Sequence, residues 1–113
     1  IGEVTPERIS IVRAASHIVE EELRKAKMYD SVWMAFAAFL PVKTVGVQGD
    51  GRSYKHPLVI RVVQSTDAMT ANYVPLPHEL LSSMSRRITN EISQVNRVFY
   101  DITDKPPGTM EYE

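Results

Sequence analysis

The residues best equipped for chemistry gather at the C-terminal end, in VNRVFYDITDKPPGTMEYE from Val95 to Glu113. Lys105 carries a compact ammonium group directly before Pro106 and Pro107. Those prolines lack N–H donors and fix φ, so the cation sits on a stiff, extended backbone that loses little entropy on binding. Glu111 offers an acceptor-only carboxylate of the kind that suits paired hydroxyl donors. Arg97 is a second cation, at the start of a strand, where it also reads as a solvated charge. Composition alone favours a frayed terminus for this stretch unless something ties it down. Farther upstream, Arg61 interrupts an apolar run; it must reach water or a carboxylate, and a carboxylate across a subunit interface would serve. His17 reads as a packed or solvated histidine rather than a ligand. No cysteine is present, which excludes thiolate metal sites, disulfides and a cysteine nucleophile.

Several elements must position these groups. Thr5 is suited to cap a helix with Pro6 at its first position and Glu7 near the positive end of the dipole. Ile11, Val12, Ala15, Ile18, Val19 and Leu23 then form one stripe at helical spacing, with Glu20, Glu21, Arg24 and Lys25 left to solvent. The run from Val32 to Leu40 fits a buried helix or a buried strand by periodicity. Its length, its aromatic and β-branched content and the stop at Pro41 favour the strand. A second extended segment covers Lys43 to Val47, and Asp50-Gly51 is a good hairpin turn. After Pro57, Leu58 to Gln64 reads as a strand covered on both faces. Ser65 to Pro77 is expected to be a connection without regular structure. Leu80, Leu81, Met84, Ile88 and Ile92 mark a second helix beginning at Pro77, and Val98, Tyr100 and Ile102 a terminal strand. The expected fold class is α/β, as an α+β two-layer sandwich ordered helix-strand-strand-helix-strand, with a small sheet and two helices on one face. Its other sheet face would be apolar and would meet a partner.

Length and composition agree. At 113 residues, 43% hydrophobic and 24% charged, the chain is expected to be one globular domain, residues 1–113. A net charge of −1 gives no footprint for nucleic acid. The longest apolar run, Val32 to Val42, is too short for a bilayer, so no membrane association is expected. The first residue is Ile1 rather than methionine, which reads as a fragment or a processed end.

The C-terminal run closely resembles the end of GMP synthases, which typically close with Lys-Pro-Pro-Ala-Thr-Ile-Glu-Trp-Glu; here Gly108, Met110 and Tyr112 replace three of those residues. VGVQGDGRSY (Val45 to Tyr54), STDAMTA (Ser65 to Ala71), RRITNEI (Arg86 to Ile92) and VNRVFYDIT (Val95 to Thr103) are similar to that family in the same order. The resemblance covers nearly the whole chain but only the family's last domain, its dimerisation domain. It implies a homodimer through the sheet face, alongside an ATP pyrophosphatase domain and a glutaminase domain or subunit, in a cytoplasmic ligase of purine biosynthesis. That ligase converts xanthosine monophosphate to GMP with ATP, magnesium and glutamine-derived ammonia, and this domain itself binds no cofactor or metal. By the same resemblance Lys105 contacts the substrate phosphate, and Glu111 and the backbone around Met110 contact the ribose hydroxyls. Arg97 matches a position associated with the phosphate, in its own or the partner's site.

Both catalytic modules are missing from this stretch. It has no cysteine for a glutaminase and no Ser-Gly-Gly-x-Asp-Ser loop to cradle pyrophosphate, so the fragment should be inactive alone. Many relatives carry glutamine where this chain has Met34, and a thioether cannot replace the amide donors. Either the contact is lost, or the alignment slips by a residue, or Gln48 or Gln64 takes over. The rival reading is a stand-alone binding or dimerisation module without a nucleotide substrate. Gly46-Val47-Gln48-Gly49 is literally the G-x-x-G clamp of KH-type RNA-binding domains. That clamp joins two helices on a basic surface, whereas this one joins extended segments, and a lone G-x-x-G is a weak signal.

Overall fold

The computed structural model describes residues 5–40, 44–48, 51–67 and 70–104, with side chains left out at 44–48, 51–54, 65–67, 70 and 71. The element order is α1 (Pro6–Lys25), a short 3-10 turn (Tyr29–Ser31), β1 (Met34–Phe39), β2 (Thr44–Gln48), β3 (Gly51–Asp67), β4 (Thr70–Tyr73), α2 (His78–Glu91) and β5 (Val95–Tyr100). Everything is built on β3. The strands β1 and β2 pair antiparallel with successive stretches of it, from Met34↔Val63 to Phe39↔Leu58 and from Thr44↔Lys55 to Gln48↔Gly51. The last of these pairs leaves the two-residue connection expected of a hairpin, although Gly49 and Asp50 themselves lie outside the described residues. β4 pairs antiparallel near the far end of β3, and β5 runs parallel to its middle, Leu58↔Val98 to Ile60↔Tyr100. The α+β class and the two helices hold, with four strands rather than two between the helices.

Two differences have physical causes. β3 runs straight through Pro57 instead of starting after it. Proline is tolerated there because the ladder with β5 shifts register between His56 and Pro57, while on the antiparallel side one ladder ends at Lys55 and the next begins at Leu58. The missing donor falls where the ladders break. The stretch after Ser65 is not irregular either: β4 folds back on β3, and among the described residues of this stretch only 74–77 leave regular structure before α2. Its sequence has no apolar alternation, because the partner strand supplies the hydrogen bonds whatever the side chains are.

The helices form where expected. Thr5 Oγ1 accepts the Arg8 N–H at 3.1 Å, with Pro6 at the first helical position. Pro77 is the N-cap of α2 rather than its first residue, so the helix begins one residue later than expected. α1 ends in a Schellman motif, with Met28 N–H donating to Leu23 O at 2.8 Å and Lys27 N–H to Arg24 O at 3.0 Å. That motif puts Lys27 at φ 60, where a side chain bearing Cβ is disfavoured. Lys27→Gly is expected to raise stability by about 0.5–1 kcal/mol, read as an upward shift of the thermal midpoint.

Both helices pack on one sheet face. Ile11, Ala15, Ile18, Val19 and Leu23 from α1 meet Leu80, Met84 and Ile88 from α2 over Ala37, Phe39, Leu58, Ile60 and Val62. Ser16 Oγ takes the Ala37 N–H at 3.1 Å, tying α1 to β1. One charged residue of α1 is buried: Glu22 is only 4% exposed. Its carboxylate accepts from Ser83 Oγ (2.7 Å) and Arg87 Nη1 (3.1 Å) of α2, and Arg87 also bonds Glu21 and Glu91, each at 2.9 Å. Arg87 is the clasp between the helices.

Burial pushes the Glu22 carboxyl up, but hydrogen bonds from Ser83 and Arg87, with Lys25 beside them, hold it below its ordinary 4.5. The Arg87 hydrogen bond does the same for Glu21, against desolvation and helped by His17. A carboxylate depressed in the folded state stabilises fully above its unfolded value and loses that contribution as pH falls through the folded value. The urea midpoint is therefore expected to fall below about pH 4.5, and less steeply in Arg87→Met, when the two are compared across a pH series. Equal slopes would mean that the clasp contributes nothing. Among the described residues no helix is long and apolar enough to cross a membrane.

Candidate functional site

Strand β5 leads the chain into its C-terminal segment, and the residues that end it are tied down from several directions. Asp101 N–H donates to Ile60 O at 2.9 Å, carrying the β3 ladder one residue past the strand. The Tyr100 hydroxyl donates to Val74 O, joining β5 to the chain just after β4. Burial first, then the neighbouring Tyr73 and Asp101, push that phenol well above the ordinary tyrosine range, so it remains a donor.

Arg61 lies beneath the next turn. It is 2% exposed, and its Nη1 meets Asp101 Oδ2 at 2.8 Å while its Nη2 donates to Thr103 O at 3.1 Å. Asp101 Oδ1 in turn accepts Thr103 N–H at 2.8 Å, and Asp104 Oδ1 accepts Tyr73 N–H from β4 at 2.9 Å. Residues 101–104 thus form a fixed root, held by β3 and β4 together. The carboxylate that Arg61 requires comes from its own chain, not from across a subunit interface. Two arginine branches reach two different groups, the Asp101 carboxylate and the Thr103 carbonyl, which a lysine could not do.

Of the residues expected to touch a substrate, Arg97 is described and the others are not. Arg97 is exposed in β5, in register with Pro57 and two positions before Phe99 on the same sheet face. Lys105, Met110 and Glu111 lie outside the described residues; Lys105 directly follows the anchored Asp104. Asp101, Thr103, Asp104 and Tyr73 were missed by sequence reasoning. The one signal for them was an arginine in an apolar strand, which demanded a carboxylate without saying which.

The sheet face away from the helices carries Met34, Phe36 and Ala38 of β1, Val59, Arg61 and Val63 of β3, and Arg97 and Phe99 of β5, by the pairings Met34↔Val63, Phe36↔Arg61, Ala38↔Val59 and Val59↔Phe99. Met34 is 39% and Phe99 44% exposed there. Met34, where an amide was expected, belongs to this apolar surface. A cleft of about 210 Å³ opens between α2 and β5, lined by His78, Ser82, Ser85, Val98 and Tyr100 among others. That is below the roughly 300–1,000 Å³ typical of small-molecule sites. Among the described residues no three His, Asp or Glu side chains come together as a metal site.

Fold and site define a small α+β module: a helix-backed sheet with exposed apolar residues on its outer face and residues 101–104 tied to β3 and β4. The chain belongs to the GMP synthase C-terminal domain family, whose model matches residues 21–112. It is 55% identical over all 113 residues to a GMP synthase (glutamine-hydrolyzing) of Thermosynechococcus vestitus, covering 21% of that protein. Similar enzymes of Thermosipho melanesiensis (55%, 22% of its length) and Parafrankia sp. (56%, 21%) match across the whole chain. The chain spans about a fifth of the length of these curated relatives.

Proposed function

We propose that this chain, as a single domain, joins two copies of a GMP synthase and lends its C-terminal segment to the nucleotide site. The observation that carries the first half is the outer sheet face, where Met34 and Phe99 are exposed beside buried Val59 and Val63. A patch of that kind, opposite a face already filled by two helices, is what a partner covers, and a second copy presents the same surface. The anchored root at residues 101–104 supports the second half, because a terminus fixed so firmly at its base enters Lys105 from a defined point.

On this reading Lys105 meets the phosphate of xanthosine monophosphate, and Glu111, with the backbone near Met110, the ribose hydroxyls. Arg97, on the outer face, serves the phosphate of its own or the partner's site. The complete ligase, in the cytoplasm, transfers adenylate from ATP to the substrate oxygen and lets ammonia displace AMP to give GMP. ATP and magnesium sit in the pyrophosphatase domain, ammonia comes from the glutaminase, and this domain shapes the substrate end. The clamp reading is disfavoured by the fold, since the described part of Gly46-Val47-Gln48-Gly49 lies in β2 rather than between helices. Light scattering across a dilution series tests the first half, with a dimer expected down to low micromolar concentration; a monomer there would sink it. Removing residues 105–113 from the full-length enzyme tests the second, with loss of nucleotide affinity expected.

A further inference from the structure

We propose that Arg61 and Asp104 are positioning residues for the C-terminal segment, fixing the point and direction from which the chain enters Lys105. This rests on the reading above that the segment binds the nucleotide. A short segment that reaches a ligand from a loose base must give up the freedom of that base on binding, whereas a base already fixed gives up little. Here Arg61 makes contact with both Asp101 and Thr103, and Asp104 is held by the backbone of Tyr73 on a different strand. Two strands therefore set the position of residue 104, one through a buried guanidinium and one through a half-buried carboxylate. Neither Arg61 nor Asp104 is needed to touch the nucleotide: each acts through the chain it holds.

Steady-state kinetics of the full-length enzyme test this, with three variants and a truncation after Asp104. Asp104→Ala removes the acceptor for Tyr73 N–H but leaves the Arg61 pair, and is expected to raise KM for the nucleotide about tenfold with kcat within about twofold, the size of one lost hydrogen bond. Asp104→Asn keeps an acceptor oxygen in place and is expected to return KM to the parent value. Arg61→Lys, which cannot span both Asp101 and Thr103, is expected to raise KM at least as far as Asp104→Ala. KM for ATP should be unmoved by all three. If the truncated enzyme keeps its nucleotide KM, the reading of the segment as a substrate contact fails. If truncation destroys nucleotide affinity while Asp104→Ala and Arg61→Lys leave KM unchanged, the positioning role is overturned and the reading stands. Equal effects of Asp104→Ala and Asp104→Asn would also overturn it. Should Arg61→Lys fail to fold, the two Asp104 variants decide.

Discussion

Arg61→Met is expected to lower the unfolding free energy by about 3–5 kcal/mol, the usual cost of breaking a buried ion pair from one side. The guanidinium is 2% exposed and the Asp101 side chain 13%, so little water can replace what is lost. Methionine fills much of the volume but leaves the Asp101 carboxylate without its cation and the Thr103 carbonyl without its donor. Arg61→Met combined with Asp101→Leu should recover most of the loss, because replacing both charges by apolar groups removes the uncompensated one. Urea unfolding at one fixed protein concentration measures this, since self-association would otherwise shift the midpoint. A loss below about 1 kcal/mol for the single variant would mean that the pair behaves as a solvated surface pair.

Phe99→Asp is expected to weaken self-association by at least about 100-fold. In a two-fold interface the substitution occurs twice, each copy giving up apolar contact and desolvating a carboxylate. Losses of about 1.5–2 kcal/mol at each position reach that factor. Phe99 aligns with Val59 and, through it, with Ala38, so the charge falls within the apolar face. Sedimentation or light scattering over a dilution series reads the change. Ile9→Asp is the control: Ile9 is also an exposed apolar residue, but it belongs to α1, so association should be unchanged. Equal dissociation in Phe99→Asp and the parent would remove the outer face as the interface.

Much of the fold was legible in the sequence because it is written in local rules. The Thr5-Pro6 start of α1, the stripes of both helices and the strand character of residues 34–39 follow from capping chemistry and from periods of 3.6 and 2 that neighbouring residues enforce on each other. Family membership was legible for a different reason: short blocks such as VNRVFYDIT and the segment around Lys105 resemble that family's, and the family model matches residues 21–112. β4 was not legible, because its hydrogen bonds come from β3 and its side chains keep no period of their own. The continuity of β3 through Pro57 was hidden likewise, since a proline reads as a strand boundary until the ladders on either side are seen to break there. The Arg87–Glu22 pair was not legible, because only the packing of α1 against α2 brings those two charges together.

What the sequence by itself determined is the inventory: two amphipathic helices, apolar strands, a lysine before two prolines, and an arginine that must find a carboxylate. Tertiary structure decided which carboxylate. Asp101 lies 40 residues from Arg61 in the chain, and it reaches the guanidinium because β5 runs parallel to β3, a pairing fixed by the crossover through α2 and its burial against the sheet. The same pairing places Asp104 beside Tyr73. Local propensities cannot specify such contacts, because their energy appears only after distant strands have met, and it is those contacts that root the segment carrying Lys105.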